Sequence, residues 1–85
     1  MSVTVSTEAS PAATTELDCR GLNCPLPILR TKKAITPMAS GEILKMVSTD
    51  PGSVADMAAF SRRTGHAIVD QSEGNGEFVF FLRRA

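Results

Sequence analysis

The residues best suited to chemistry lie between Leu17 and Lys33, in the stretch LDCRGLNCPLPILRTKK. Cys24 is followed by Pro25 and Pro27 and then by a basic segment with helical spacing. Proline is tolerated in the first turn of a helix, where N–H groups have no intrahelical partner. It also pushes the residue before it out of the α region, as an N-cap requires. Cys24 is therefore expected at the N-cap, with Pro25 and Pro27 as the first and third helical residues. Pro27 disfavours helical geometry at Leu26, so the first turn is expected to be irregular.

A thiol at that position feels the positive end of the helix macrodipole, an effect of about 0.3–1 kcal/mol that favours the thiolate. Arg20 adds positive charge close by in sequence. The expectation is a thiol that is partly ionised at neutral pH. The two prolines also delete N–H donors that would otherwise hold an anion, such as the oxyanion of acyl transfer. Such a site activates sulfur without gripping it. That suits a carrier, which accepts a sulfur atom and gives it away, better than a hydrolytic nucleophile. The competing reading of Cys24 is a small buried apolar residue beside a helix start.

The other candidates divide by context. Cys19 ends an alternating apolar segment and reads as core filling. A Cys19–Cys24 disulfide across four intervening residues stays open. A thiol redox role for the pair has a spacing wider than C-x-x-C against it. Cys19, Cys24 and His66 fall short of the four ligands that a structural zinc takes, so no metal is expected. No cofactor is expected either. His66, behind Gly65, reads as structural, with service as a base for Cys24 as the alternative. Arg30, Lys32 and Lys33 read as a solvated helix face or, on the helix that presents the thiol, as a docking surface.

The elements that must position these groups follow from periodicity. Thr15 to Cys19 suits a short first strand that ends at Arg20-Gly21. A helix is expected to start after Cys24 and run to about Thr36, with Ile28, Thr31, Ile35 and Met38 as its inward stripe. Glu42 to Thr49 alternates as a second strand. Asp50-Pro51-Gly52 is a turn, and Ser53 to Asp56 matches a capping box ahead of a helix that runs to Gly65. Arg62 and Arg63 suit the negative end of that helix. His66 to Ser72 and Glu77 to Arg83 read as a hairpin about Gly74-Asn75-Gly76. The order is β-α-β-α-β-β. Since each helix has one apolar stripe to bury, the expected fold class is α+β, a two-layer α/β sandwich. Its four-stranded mixed sheet carries both helices on one face.

Composition narrows the partners. The chain has 85 residues, 42% of them apolar, and a formal net charge of zero. That allows one small domain, with no whole-molecule field to attract nucleic acid. There is no Trp or Tyr, and Phe stands only at 60, 78, 80 and 81, which argues against a base-stacking surface. Residues 1–16 are rich in Ser, Thr and Ala and read as a flexible tail ahead of a domain at 17–85. They lack the basic start and apolar run of a secretory signal. No apolar run approaches the roughly 18–20 residues of a membrane span. The expected compartment is the cytoplasm, where the thiols stay reduced.

Taken together, Asp18, Gly21, Cys24-Pro25-x-Pro27, Lys32-Lys33-Ala34, Gly41, Asp50-Pro51, Asp56 and Gly65-His66 resemble the TusA/SirA-like sulfur carriers. The resemblance covers nearly all of Leu17 to Arg84. It implies that Cys24 carries sulfane sulfur as a persulfide, with Pro25, Pro27 and Gly21 shaping its helix start. The implied donor is a cysteine desulfurase or a rhodanese, and the implied receiver an acceptor protein with a reactive cysteine. In such proteins the route ends in tRNA thiolation, molybdenum-cofactor assembly or sulfur oxidation. Turnover belongs to the donor and acceptor enzymes. Arg20, Leu26, Arg30, Lys32, Lys33 and Asp50 are expected on the partner surface. The carrier is expected to act as a monomer that binds neither nucleic acid nor membrane directly. The alternative function is a regulatory interaction module of the same fold without sulfur transfer.

Overall fold

The computed structural model describes residues 13–85. The tail expected at residues 1–16 falls largely on residues 1–12, which lie outside the described residues. The elements are β1 (Thr15–Cys19), α1 (Leu26–Ile35), β2 (Ile43–Ser48), α2 (Ser53–Thr64), β3 (Ala67–Gly74) and β4 (Glu77–Arg83). They form an α+β sandwich with one four-stranded mixed sheet in the order β1-β2-β4-β3. β1 runs parallel to β2, with Cys19 opposite Ser48. β4 pairs antiparallel with both β2 and β3.

Alternation decides which sheet face is covered. Leu44, Met46 and Ser48 of β2 are buried, whereas Ile43, Lys45 and Val47 between them are only half-buried. Phe80 and Leu82 stand opposite Met46 and Leu44 on the covered face. Ile35 from α1 and Met57 and Phe60 from α2 close over them, joined by Cys19 from β1. Fully burying side chains of this size contributes about 1.5–3 kcal/mol each. In α1 the innermost residues are Pro27, Thr31 and Ile35, with Ile28 and Met38 at the edges of the stripe. The buried Thr31 hydroxyl is satisfied by the Pro27 carbonyl at 2.7 Å. Arg30, Lys32 and Lys33 are exposed.

The hairpin turns on Asn75 and Gly76, with φ of 53° and 76°. Two left-handed residues make the tight connection that matches strand twist, which explains Asn-Gly here. β3 therefore extends to Gly74, past the expected Ser72.

The capping box at Ser53 does not form. Gly52 occupies the cap, and no side chain caps the helix. The Asp56 N–H donates to the Gly52 carbonyl at 3.1 Å, and the Ser53 hydroxyl donates to the Asp50 carbonyl at 2.6 Å. At the other end Gly65 is left-handed and donates its N–H to the Ser61 carbonyl. His66 is buried there. Its Nδ1 accepts the Ala85 N–H at 3.0 Å, and its ring lies 5.8 Å from that of Phe60. The ring is therefore an internal tie between the helix end and the chain terminus.

Candidate functional site

The loop between β1 and α1 brings Cys24 to the surface. Gly21 turns the chain with φ 80°, a left-handed value that a side chain resists. Its N–H donates to Thr49 Oγ1 at 2.8 Å, fastening the loop to the end of β2. The N–H of Cys24 donates to Asp50 Oδ2 at 2.8 Å, and that of Leu26 to the Asn23 carbonyl at 2.8 Å.

α1 begins at Leu26, one residue later than expected. Pro25 is the cap, with φ −99° and ψ 15°, and its carbonyl accepts the Leu29 N–H at 3.1 Å. Pro27 lies in the first turn. The delay has a local cause. The first carbonyl to accept a helical N–H is that of Pro25, while the Cys24 N–H, which a helix start leaves unpaired, ties the loop to Asp50 of the β2–α2 loop. Of residues 25 to 27, the two prolines have no N–H, and Leu26 has already given its own to Asn23. The helix start thus offers the sulfur no free N–H from these residues.

Cys24 is exposed and Cys19 fully buried, and both are free thiols. Burial pushes the Cys19 thiol up. The Cys24 thiol is also pushed up, contrary to the expectation of a partly ionised group. Hydrogen bonding to the Asp56 carboxylate is the main cause, followed by partial desolvation and by the charges of Asp56 and Asp50. The helix dipole, acting at a residue outside the first turn, is outweighed by full carboxylate charges at close range. The unloaded thiol is therefore held neutral at physiological pH.

Arg20 does not offset this. Its guanidinium pairs with Asp18 at 2.9 Å and Glu77 at 3.5 Å. It lines a hollow with Lys45 and Val47 on the uncovered sheet face, apart from the thiol. The Arg20 hydrogen bonds hold the Asp18 carboxyl down to about 2.

A second hollow, of ≈160 Å³, opens beside the thiol between Cys24, Pro25, Ile28, Asp56, Ala59 and Arg63. The sequence pattern did not single out Asp56 and Arg63 for this role, reading them as helix-end charges. The spacing 56, 59, 63 sets them on one face of α2, and Asp56 is also among the positions that carry the family resemblance. Farther along α1, Leu29, Lys32, Lys33, Thr36 and Pro37 line a shallow depression of ≈420 Å³. Leu26 and Leu29 are 43% and 54% exposed, and Leu29 is the member of this surface that the sequence reading passed over. Among the described residues no cluster of His, Cys, Asp and Glu could hold a metal ion.

The family model described as sulfurtransferase TusA matches residues 15–84. The chain belongs to the TusA family. A sulfur carrier protein TusA from Allochromatium vinosum is 49% identical over 70 residues, 82% of this chain and 92% of the relative. One from Pseudomonas putida is 35% identical over 68 residues, 80% of this chain and 85% of the relative. A SirA-like protein from Desulfitobacterium hafniense shares the fold, with a TM-score of 0.72 at 20% identity over 81% of this chain and 95% of that one. The family model spans both the Cys24 loop and α2. No helix among the described residues is long and apolar enough to cross a membrane.

Proposed function

We propose that this TusA-family protein is a sulfur carrier that holds sulfane sulfur as a persulfide on Cys24. The observation that carries the reading is the contrast between the two thiols: Cys24 stands exposed on a proline-bounded helix start, while Cys19 is sealed in the core. In loading, Cys24 Sγ attacks the terminal sulfur of a donor persulfide. The new S–S bond forms as the old one breaks, and the donor cysteine leaves with the electron pair. The Sγ proton passes to the departing donor thiolate. The exchange is thus Cys24 thiol plus donor persulfide to Cys24 persulfide plus donor thiol, with no net redox change. Unloading repeats the exchange on an acceptor cysteine.

The absence of free N–H donors at residues 25 to 27 supports carriage over hydrolysis, because an acyl enzyme needs such groups for its oxyanion. Lys32, Lys33, Arg30, Leu26 and Leu29 form an apolar strip with a cationic border along the helix that presents the thiol. It suits a partner with an acidic rim, the donor being a cysteine desulfurase or rhodanese. The sulfur's destination is tRNA thiolation, molybdenum-cofactor assembly or sulfur oxidation, by way of an acceptor protein in the cytoplasm, and the carrier works as a monomer.

The test is intact mass after incubation with a cysteine desulfurase and cysteine. Wild type and Cys19→Ala gain about 32 Da, one sulfur atom, reversibly by reductant. Cys24→Ser gains nothing, and a label retained on that variant overturns the assignment.

A further inference from the structure

Arg63 is the one cation that lines the hollow beside Cys24, and no step of the exchange above uses it. Among the described residues it belongs to no ion pair, whereas Arg20 belongs to two. Side chains on a helix lean toward its N-terminus, so Arg63 is directed back along α2 toward Ala59 and Asp56. Ala59, between them in sequence and on the same face, projects only a methyl group into the hollow. The face therefore reads acid, space, base, with the thiol at the acidic end.

We propose that this hollow seats the terminal sulfur of the loaded carrier and that Arg63 pairs its charge. The proposal deepens the persulfide reading and rests on it. Loading moves the reactive atom one S–S bond, about 2.05 Å, beyond Sγ. That step takes the negative charge away from the carboxylate that hydrogen-bonds the thiol and into the space left by Ala59. A persulfide is a stronger acid than its thiol, so the loaded form is the anionic one. One helix face thus disfavours charge on Sγ and favours it one atom farther out. Arg63 is a sulfur-binding residue in this scheme, and Asp56 distinguishes the empty from the filled state.

The experiment loads the full chain with inorganic polysulfide. It then follows alkylation of the terminal sulfur by iodoacetamide against pH, read by intact mass. Arg63→Gln gains the same about 32 Da as wild type. Its alkylation profile moves to higher pH, and its rate at about pH 6 falls roughly 2- to 5-fold, the loss of one exposed charge pair. Arg63→Lys keeps most of the wild-type profile. Arg62→Gln, an exposed neighbour outside the hollow, matches wild type. A profile for Arg63→Gln that superposes on wild type, or an equal shift in Arg62→Gln, overturns the assignment while the persulfide reading stands. No mass gain on wild type overturns both.

Discussion

The N–H of Cys24 and the carboxylate of Asp50 meet at 2.8 Å across 26 positions of chain, joining the loop that carries the thiol to the loop that starts α2. The other Asp50 oxygen accepts the Gly52 N–H at 3.1 Å, so one carboxylate holds both helix starts. Asp50→Ala is expected to cost about 1–2 kcal/mol, the low end for hydrogen bonds to a charged group because the site is half-exposed. In a domain of this size that lowers Tm by roughly 4–8 °C per kcal/mol, readable in a thermal melt. Amide exchange at Cys24 should quicken more than exchange in β4. An unchanged melt and exchange rate would remove Asp50 from this role.

Asp56 sets the protonation of the empty carrier. In wild type, alkylation of Cys24 rises with pH only above the range of an ordinary thiol, since the nucleophile is the thiolate. Asp56→Asn removes the acceptor charge while keeping the shape. The rise then moves to lower pH, and the rate at neutral pH increases several-fold. A slower or unchanged rate would mean that Asp56 does not oppose the thiolate.

On the proposed function, the lysines of α1 address the partner rather than the chemistry. Lys32→Glu with Lys33→Glu reverses the border of the Leu26–Leu29 strip. Transfer from a protein donor should fall about 10-fold at low salt and by less at high salt, as electrostatic steering does. Loading by inorganic polysulfide should be unchanged. Equal slowing by both sulfur sources would place the lysines in the chemical step.

His66 makes stability depend on pH. Burial, and then the positive charge of Arg84, push its value below the ordinary 6.5. Protonation at Nδ1 would also end its acceptance of the Ala85 N–H. The unfolded chain therefore binds a proton before the folded one does. Stability from this group is complete above about pH 6.5 and declines below it, until the folded ring also protonates. Urea midpoints at about pH 7.5 and about pH 5.5 measure the decline. His66→Gln should show a smaller difference between the two, and an equal one would acquit the ring.

The strands were legible because the alternation in Leu44-Lys45-Met46 and the apolar run Phe78 to Leu82 bounded by Gly76 and Arg83 are local signals. The Asn75-Gly76 turn was legible because its backbone angles select its residues. The α1 start is displaced by one residue because the Pro25 carbonyl is the first to accept a helical N–H. The Ser53 cap fails because the Gly52 carbonyl takes the Asp56 N–H. The contact of Asp50 with the Cys24 N–H depends on a loop proximity that no local pattern encodes. The direction of the Cys24 shift was missed for the same reason: a helix dipole can be read along one segment, but a carboxylate from α2 reaches the thiol only in the folded molecule. The exposed thiol proposed as the nucleophile is marked in the sequence by its prolines, while the place of Asp56 and Arg63 beside it becomes recognisable only once the two helices lie side by side.

Cys19, sealed at 0% exposure under the sheet, has a consequence for cargo security. Were that thiol free to strike a loaded Cys24, it would close a ring between the two residues and expel hydrogen sulfide, wasting the atom in transit. On the proposed function, keeping it neutral and buried blocks that internal short circuit, so release would wait for a visiting cysteine.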